Sequence, residues 1–380
     1  MMKTQCISSD RISSLPQNII ETILTLMPIR DALRTSILSK KWRYSWMTMP
    51  KLVFDHHLVG GSLLKSKLVS AIFHVLYIHS GPTILKFELD FYKLGMITEF
   101  DQIILGLSRR SNVKDLIIDT SNSFYKLTTS FFLMQGLESI SLKNCNFEPP
   151  VNFNGFSKLR NMCFENVRVH AEVLQNFLPN CPLLEDIRLL DYEEEYVEEN
   201  SFNFVKFFQC VPLLHTLAIS ENYMKFLSSG GMPSKLSTSL HLTYVCLDVC
   251  LREQDVISSV LCIIRSSPNL ERIFFQMYDN EKLPIQESSI KFDDLQDDLS
   301  LTLDHLKSID IVSFSNIACE MVFVKLIMGK SPILKIARVE LSDNVSFDEE
   351  LKILREMIRV QIPRASPSAQ LIIERPKKKL

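Results

Sequence analysis

The sequence predicts an α/β fold in two parts: a small N-terminal unit of three helices, then a solenoid of strand–helix repeats with a parallel inner sheet. Three observations carry this. Apolar residues at three-and-four spacing, punctuated by prolines, fill residues 15–46. A pattern of apolar, two variable, apolar, one variable, apolar recurs nine times between Ile84 and Ile311. Glycine is scarce, 10 in 380 residues, and no GxGxxG or GxxxxGK[ST] run occurs, which removes the phosphate-cradling loops of nucleotide-binding α/β folds.

The helical unit comes first. Ile19, Ile20, Ile23, Leu24, Leu26 and Met27 fall on one face of a helix. Pro16 suits the turn or first helical position before it, and Pro28 stops it. Asp31 sits where an N-cap would open a second helix, Ala32 to Leu38. Ser39 and two lysines lead into a third, short helix with Trp42 and Trp46, the two tryptophans of the chain, on one face. Three helices in about 35 residues enclose too little core to stand alone, so this apolar surface is expected to meet another protein.

The segment resembles the F-box in its plant form. The matching residues are Leu15-Pro16, Ile19, Ile23-Leu24, Met27-Pro28, Asp31 through Ser36, Leu38-Ser39-Lys40-Lys41-Trp42-Arg43 and Trp46. Asn18 departs from the family's usual Glu or Asp, although Asn in a first turn can still cap. The resemblance implies docking onto a Skp-family adaptor, and through it onto the cullin and RING subunits of a ubiquitin ligase. It names Leu15, Pro16, Ile19, Ile23, Leu24, Met27, Pro28, Ala32, Leu33, Leu38, Ser39, Trp42 and Trp46 as adaptor-binding, within a domain spanning 8–54. The alternative is a helical subdomain packed on its own chain.

Beyond a basic and apolar stretch around Lys51 to Lys67, the recurring unit begins. It reads Ile84-Phe87-Leu89, Val113-Leu116-Ile118, Leu137-Ile140-Leu142, Leu159-Met162-Phe164 and Leu184-Ile187-Leu189. It continues as Leu214-Leu217-Ile219, Leu242-Val245-Leu247, Leu270-Ile273-Phe275 and Leu306-Ile309-Ile311. The steps are 29, 24, 22, 25, 30, 28, 28 and 36 positions, similar to leucine-rich repeats of about 20–29 residues with insertions; the repeats are placed over 80–280. Two units carry the longer form, with Cys145 and Phe147 in one and Val167 and Val169 in the other. A buried small residue at the Cys145 or Val167 position is expected to turn the chain out of the strand. Pro182, Pro212 and Pro268, each two residues before the next repeat leucine, are expected to end a helix and force an extended approach to the strand. Each unit is then one strand plus one helix. The competing fold is a globular α/β domain with the same alternation.

Residues flanking the second and third apolar positions should face the concave side and contact a target: Ser141, Lys143, Glu165, Arg188, Ser220, Asp248, Phe274 and Gln276. A slip of one residue would bury Phe274. The run DYEEEYVEEN, residues 191–200, is too charged to pack and reads as a solvated loop. Residues 279–298 account for the longest step and should separate the repeats from the C-terminal segment.

From Leu306 the pattern gives a strand, a helix from Ile317 to Met328, a Ser-Pro stop and a second strand. Ser346 with Glu349 is a capping box for a last helix running to about Val360. This end, residues 300–375, resembles the FBD segment found after an F-box and leucine-rich repeats in many plant proteins. The match rests on Leu306-Lys307, Ile311, Phe314, Glu320, Phe323-Val324, Leu326, Ser331-Pro332, Leu334 and Pro363 through Pro367. A strand–helix–strand cap over the solenoid edge is its expected role. Arg375, Lys377, Lys378 and Lys379 form a basic tail that suits nuclear import or simple solvation.

Composition narrows the partners. A net charge of -2 gives no long-range pull toward nucleic acid or anionic lipid. Nine cysteines without a CxxC pair read as thiols in a reducing compartment. No apolar run reaches a membrane span of about 18 residues, and the first residues lack a secretory signal. The expectation is a soluble protein of cytoplasm or nucleus, with no nucleic-acid or membrane partner.

Catalytic chemistry finds little support. Asp293-Asp294-Leu295-Gln296-Asp297 has the DDxxD form of Mg²⁺-diphosphate sites, but the prenyl-transfer enzymes that use it are all-helical and need a second carboxylate set. It reads as an acidic loop. His56-His57 lacks the spacing of paired metal ligands, and no GxSxG elbow exists. No catalytic residue, metal or cofactor is expected. The reading is a non-catalytic substrate-recognition subunit of a cullin–RING ligase. Its alternatives are a small-molecule co-receptor, whose ligand fills the concave face, and a scaffold that binds the adaptor without delivering a target.

Overall fold

The computed structural model describes residues 11–54, 65–81, 83–90, 99–110, 113–120, 124–190, 203–228, 232–279, 301–359 and 366–376. They fall into two compact units, Met1–Leu159 with Val167–Val169, and Arg160–Asn166 with His170–Leu380.

The first unit opens with α1 (Gln17–Thr25), α2 (Ile29–Arg34) and two 3-10 turns, Thr35–Ile37 and Trp42–Thr48. There follow β1 (Lys51–Phe54), α3 (Lys65–Ile78), β2 (Lys86–Asp90), α4 (Phe100–Ser108), β3 (Asp115–Asp119), β4 (Tyr125–Lys126), β5 (Ser139–Lys143) and β6 (Cys145–Asn146). Strands β1, β2, β3 and β5 pair in that order, all parallel. Short strands β4 and β6 form a second parallel pair. Met49, Leu52 and Phe54 have the same apolar spacing as the units from Ile84 onward and are buried, so the repeat begins one unit earlier than expected.

The second unit runs β7 (Asn161–Glu165), α5 (Ala171–Phe177), β8 (Asp186–Leu190), α6 (Phe204–Cys210), β9 (Thr216–Ile219), α7 (Glu221–Ser228), β10 (Tyr244–Val249), α8 (Gln254–Ser266) and β11 (Arg272–Met277). It ends with β12 (Ser308–Phe314), α9 (Ala318–Gly329), β13 (Ile336–Leu341), α10 (Phe347–Arg359) and β14 (Gln370–Glu374). These eight strands pair in chain order, all parallel.

The register explains the stack. The second apolar position of each repeat lies beside its counterpart, Met162, Ile187, Leu217, Val245, Ile273, Ile309 and Ala337, and so does the third, Phe164, Leu189, Ile219, Leu247, Phe275, Ile311 and Val339. All fourteen are buried. Phe87, Leu116 and Ile140, with Leu89, Ile118 and Leu142, do the same in the first unit. At about 1.5–3 kcal/mol for each large apolar side chain removed from water, these rows are the main cohesive element.

A repeated turn feeds β8, β9, β11 and β13. The N–H of the repeat's leading residue donates to the carbonyl three back: Leu184 to Cys181 at 3.2 Å, Leu214 to Val211, Leu270 to Ser267 and Leu334 to Ser331 at 3.3 Å. Pro182, Pro212, Pro268 and Pro332 occupy the second position of these turns. The expected extended approach is therefore replaced by a tight turn. Proline's fixed φ suits that second position, and its missing N–H is not needed there.

The exit from the strand also differs from expectation. The chain leaves β5 and β7 through Asn144 (φ 57°) and Asn166 (φ 52°), both left-handed. Asn is among the few side chains that accept this conformation cheaply. Asn144 Nδ2 donates to Asp119 Oδ1 at 2.9 Å. Cys145 and Val167 are buried just beyond these turns; they come after the bend and do not make it. Burial pushes the Cys145 thiol up to about 12, so it stays protonated.

The C-terminal segment has the expected strand–helix–strand unit, β12, α9 and β13, and extends it by α10 and a third strand, β14. β12 pairs with β11 in the same register, Ile309 beside Ile273 and Ile311 beside Phe275, so the ladder runs on from the repeats into this segment. The Ser346–Glu349 capping box is present in both directions, at 2.9 and 3.3 Å. The expected helix end at Val360 lies outside the described residues.

Within the first unit, β1 joins the helical segment to the first repeat, Lys51 beside Lys86 and Phe54 beside Leu89. His79, buried, makes the adjoining contact: its Nε2 lies 2.9 Å from the Met49 carbonyl and its Nδ1 3.0 Å from Arg110 Nη1. The carbonyl on one side and the guanidinium on the other fix the neutral tautomer, with Nε2–H donating and Nδ1 accepting. A Cβ on Gly81 would stand 2.8 Å from His79 Cε1, so glycine is required for the ring to sit here. Burial lowers the His79 pKa from 6.5, Arg110 lowers it further, and the Met49 carbonyl opposes them.

The His79 and Asn144 contacts are both testable. The unfolded chain binds the His79 proton more readily than the fold does, so this group's contribution is present above pH 6.5 and is lost as pH falls through the lowered native value. Denaturant unfolding between about pH 7.5 and pH 5.5 should show that loss, reduced in His79→Gln. Asn144→Ala should destabilise by about 1–2 kcal/mol, and Asn144→Gly by less, since glycine accepts positive φ; equilibrium unfolding by urea measures both.

Candidate interaction surfaces

The helical segment sorts its apolar residues into two sets. Pro16 and Pro28 are both extended, with ψ 148° and 147°, and each carbonyl accepts the first helical hydrogen bond, from Ile20 at 3.2 Å and Ala32 at 3.0 Å. Pro28 thus ends one helix and starts the next. Asp31 is not the N-cap expected of it; it lies inside the first turn of α2 and pairs with Arg34 at 3.3 Å. Asn18 is exposed in α1, whose start has no side-chain cap.

Trp42 and Trp46 are the interior, 3% and 5% exposed, together with Ile20, Leu24, Ile29 and Ala32. Trp42 Nε1 donates to the Ile12 carbonyl at 3.1 Å, Ser39 Oγ accepts from the Trp42 N–H at 3.4 Å, and Lys41 Nζ donates to the Leu15 carbonyl. Of the residues expected to bind an adaptor, Leu24, Ala32, Trp42 and Trp46 are therefore buried in the unit itself and position the others. Pro16, Ile19, Pro28 and Leu38 are exposed, and Leu15, Ile23, Met27, Leu33 and Ser39 are exposed or half-buried. The structure adds Leu26 and Ile37, 81% and 88% exposed, and Ile12 and Tyr44, which the family pattern did not single out. On α1 the spacing of Ile19, Ile23 and Leu26 puts them along one side.

The repeat sheets have a covered and an open face. Outward positions alternate with the buried rows, as in the i-B-i-B-i pattern of β5 and the matching pattern of β10. Ser141, Lys143, Glu165, Arg188, Asp248, Phe274 and Gln276 all lie on the open face, exposed or half-buried. Ser220 does not. It is 7% exposed, its N–H donates to the Leu189 carbonyl at 3.0 Å and its carbonyl accepts from Met224 at 2.8 Å, because β9 ends at Ile219 and the chain turns directly into α7. Tyr244, Cys246, Arg272, Asp310 and Arg338 share the open face and were not singled out from sequence. Strand alternation, extended to every repeat, would have found them.

Two carboxylates hold backbone donors that precede them in the chain. Asp248 Oδ2 accepts from the Glu221 N–H at 3.0 Å, at the start of α7. Burial raises its pKa to about 6 despite that bond. Glu320 Oε2 accepts from Ser315 and Ile317 N–H groups at 2.9 and 3.1 Å, and burial raises its pKa to about 7. These acids hold backbone donors. Among the described residues no group of three or more His, Cys, Asp or Glu is placed to hold a metal ion, and no helix is long and apolar enough to cross a membrane. His56-His57, the acidic run 191–200, Asp293 to Asp297, Pro363 to Ala365 and the three tail lysines lie outside the described residues.

A tryptophan-centred helical unit with an exposed apolar side, joined to parallel strand–turn–helix repeats, is the architecture of an F-box protein with leucine-rich repeats. The F-box domain model matches residues 12–54, and the model described as At1g61320/AtMIF1, LRR domain, matches residues 75–197. An F-box/FBD/LRR-repeat protein of Arabidopsis thaliana is 31% identical over 417 residues, spanning 96% of this chain and 98% of that protein. An F-box/LRR-repeat protein of the same plant is 26% identical over 57% of this chain and 69% of its own length. Among solved structures, an internalin of Listeria monocytogenes is similar, with a TM-score of 0.41 and 11% identity over 96% of this chain and 98% of that one; the fold rests on the strand register instead. The chain belongs to the F-box/FBD/LRR-repeat family.

The split between interior and surface is directly measurable. Trp42→Ala should destabilise by about 3–5 kcal/mol as a buried aromatic truncation. Ile37→Ser and Leu26→Ser should leave unfolding within about 0.5 kcal/mol of the parent chain; thermal and chemical unfolding of the three variants tests this.

Proposed function

We propose that this chain is the substrate-recognition subunit of a cullin–RING ubiquitin ligase, with its F-box seated on a Skp-family adaptor and its repeats holding a target protein. The observation that carries the reading is the sorting of apolar residues in the helical segment. Both tryptophans are inside, yet Ile19, Leu26, Ile37 and Leu38 remain in water. A segment already folded around its own core has no internal use for that many exposed aliphatic side chains, and such a cluster is what a partner would bury.

The chain supplies no reaction chemistry in this scheme. It acts by proximity: a target held on the repeats is kept near a charged ubiquitin carrier brought by the other subunits, which raises the effective concentration of its lysines. Cytoplasm or nucleus, where the adaptor and cullin operate, is the proposed place of action.

Co-expression with a Skp-family adaptor tests the docking. Leu38→Asp and Ile37→Asp should lower adaptor recovery about tenfold or more with unfolding unchanged. Recovery at the parent level from both variants would remove the docking assignment.

A further inference from the structure

Three arginines stand on the open face of strands β7 to β14: Arg188, Arg272 and Arg338. Two are matched by carboxylates of the same face. Arg188 grips Asp186 with two contacts, 3.0 and 3.1 Å. Arg338 lies 3.5 Å from Asp310 and 3.4 Å from Glu374. Arg272 has no carboxylate within 4 Å among the described residues; its guanidinium lies 4.8 Å from the centroid of the Tyr244 ring. The ring attracts the cation without occupying its N–H donors, which a planar acceptor can take in pairs.

The surroundings of Arg272 are set by register. Arg188, Ala218, Cys246 and Phe274 lie side by side on β8, β9, β10 and β11, and Tyr244 and Arg272 lie side by side one outward position earlier. Two small side chains, Ala218 and Cys246, thus separate a long basic one from an aromatic one. Ala218 is 6% exposed and Cys246 half-buried, so the row is low between Arg188 and Phe274, and Arg272 stands beside it. Three strand spacings of about 4.8 Å make the row about 14 Å long, the span of about four extended residues.

Resting on the proposed function, we infer that this patch anchors the target through a short extended segment. An Asp or Glu of that segment pairs with Arg272, and a neighbouring aliphatic side chain lies on Ala218 and Cys246 against Phe274. Charge decides between carboxylate and phosphate. Among the described residues the patch offers one guanidinium with no carboxylate within 4 Å, on a face where Glu165, Asp186, Asp248, Asp310, Glu340 and Glu374 outnumber the three arginines. That acidic surrounding repels a doubly charged phosphate more than a singly charged carboxylate. Tyrosine and arginine are also the side chains that most often dominate binding when they cluster.

The full chain, immobilised, is panned with a random-sequence peptide library displayed on phage, and the enriched peptides are synthesised. They are expected to carry Asp or Glu next to Leu, Ile, Met or Phe. Arg272→Gln should weaken the best peptide about thirtyfold with unfolding unchanged, Arg338→Gln should leave it within about threefold, and Arg272→Glu should enrich Lys or Arg in place of the acid. The inference is overturned if no peptide is retained, if affinity ignores Arg272, or if phosphoserine exceeds Asp at that position by more than about tenfold. Loss of adaptor recovery would defeat the ligase reading and not this one; binding that ignores Arg272 with adaptor recovery intact would defeat the anchor alone.

Discussion

A slip of one residue in any strand would carry its apolar row to the open face and bring charged side chains into the core. Parallel pairing without offset prevents that. From β7 to β13 each second and third apolar position meets its own counterpart, and the tight turns before β8, β9, β11 and β13 set where their pairing begins. The arrangement of the open face is a consequence of this register. Arg272 lies beside Tyr244, and Phe274 beside Cys246, because Ile273 and Phe275 are locked inside.

The helical segment obeys a different constraint. It is short, and its two tryptophans take up most of the interior it can form. Only some of its aliphatic residues can be buried around them. β1 and the His79–Arg110 contact then join the segment to the first repeat inside one compact unit. The exposed aliphatics are thereby held on a fixed base, which lowers the ordering cost of any docking that uses them.

Much of this was legible in the sequence. The repeat rows, the helical segment and the last capping box arise from period and from local hydrogen-bond chemistry, which depend on residues close in the chain. What was missed depends on neighbours distant in the chain. Trp42 and Ile37 are both apolar, and only packing separates the buried one from the exposed one. Asp31 has the right chemistry for a cap, but Pro28 is already extended three residues earlier and the helix begins there. β14 carries no repeat leucine, with Ala369 just before it, and it is defined by pairing with β13. Ser220 obeys the alternation yet is buried, because β9 is one residue too short to present it.

The distribution of charge completes the physical picture. Carboxylates such as Asp248 on β10 and Glu320 in the first turn of α9 are spent on backbone donors that precede them in the chain, and burial raises both pKa values. Those on the open face of the later repeats pair with arginines across neighbouring strands. Such pairs are worth little stability when exposed, and with six carboxylates to three arginines among the described residues they leave the face acidic. Against that acidic background the guanidinium of Arg272, with no carboxylate within 4 Å among the described residues, has more discriminating power than it would in a basic patch, because a partner must bring its acid to that one place.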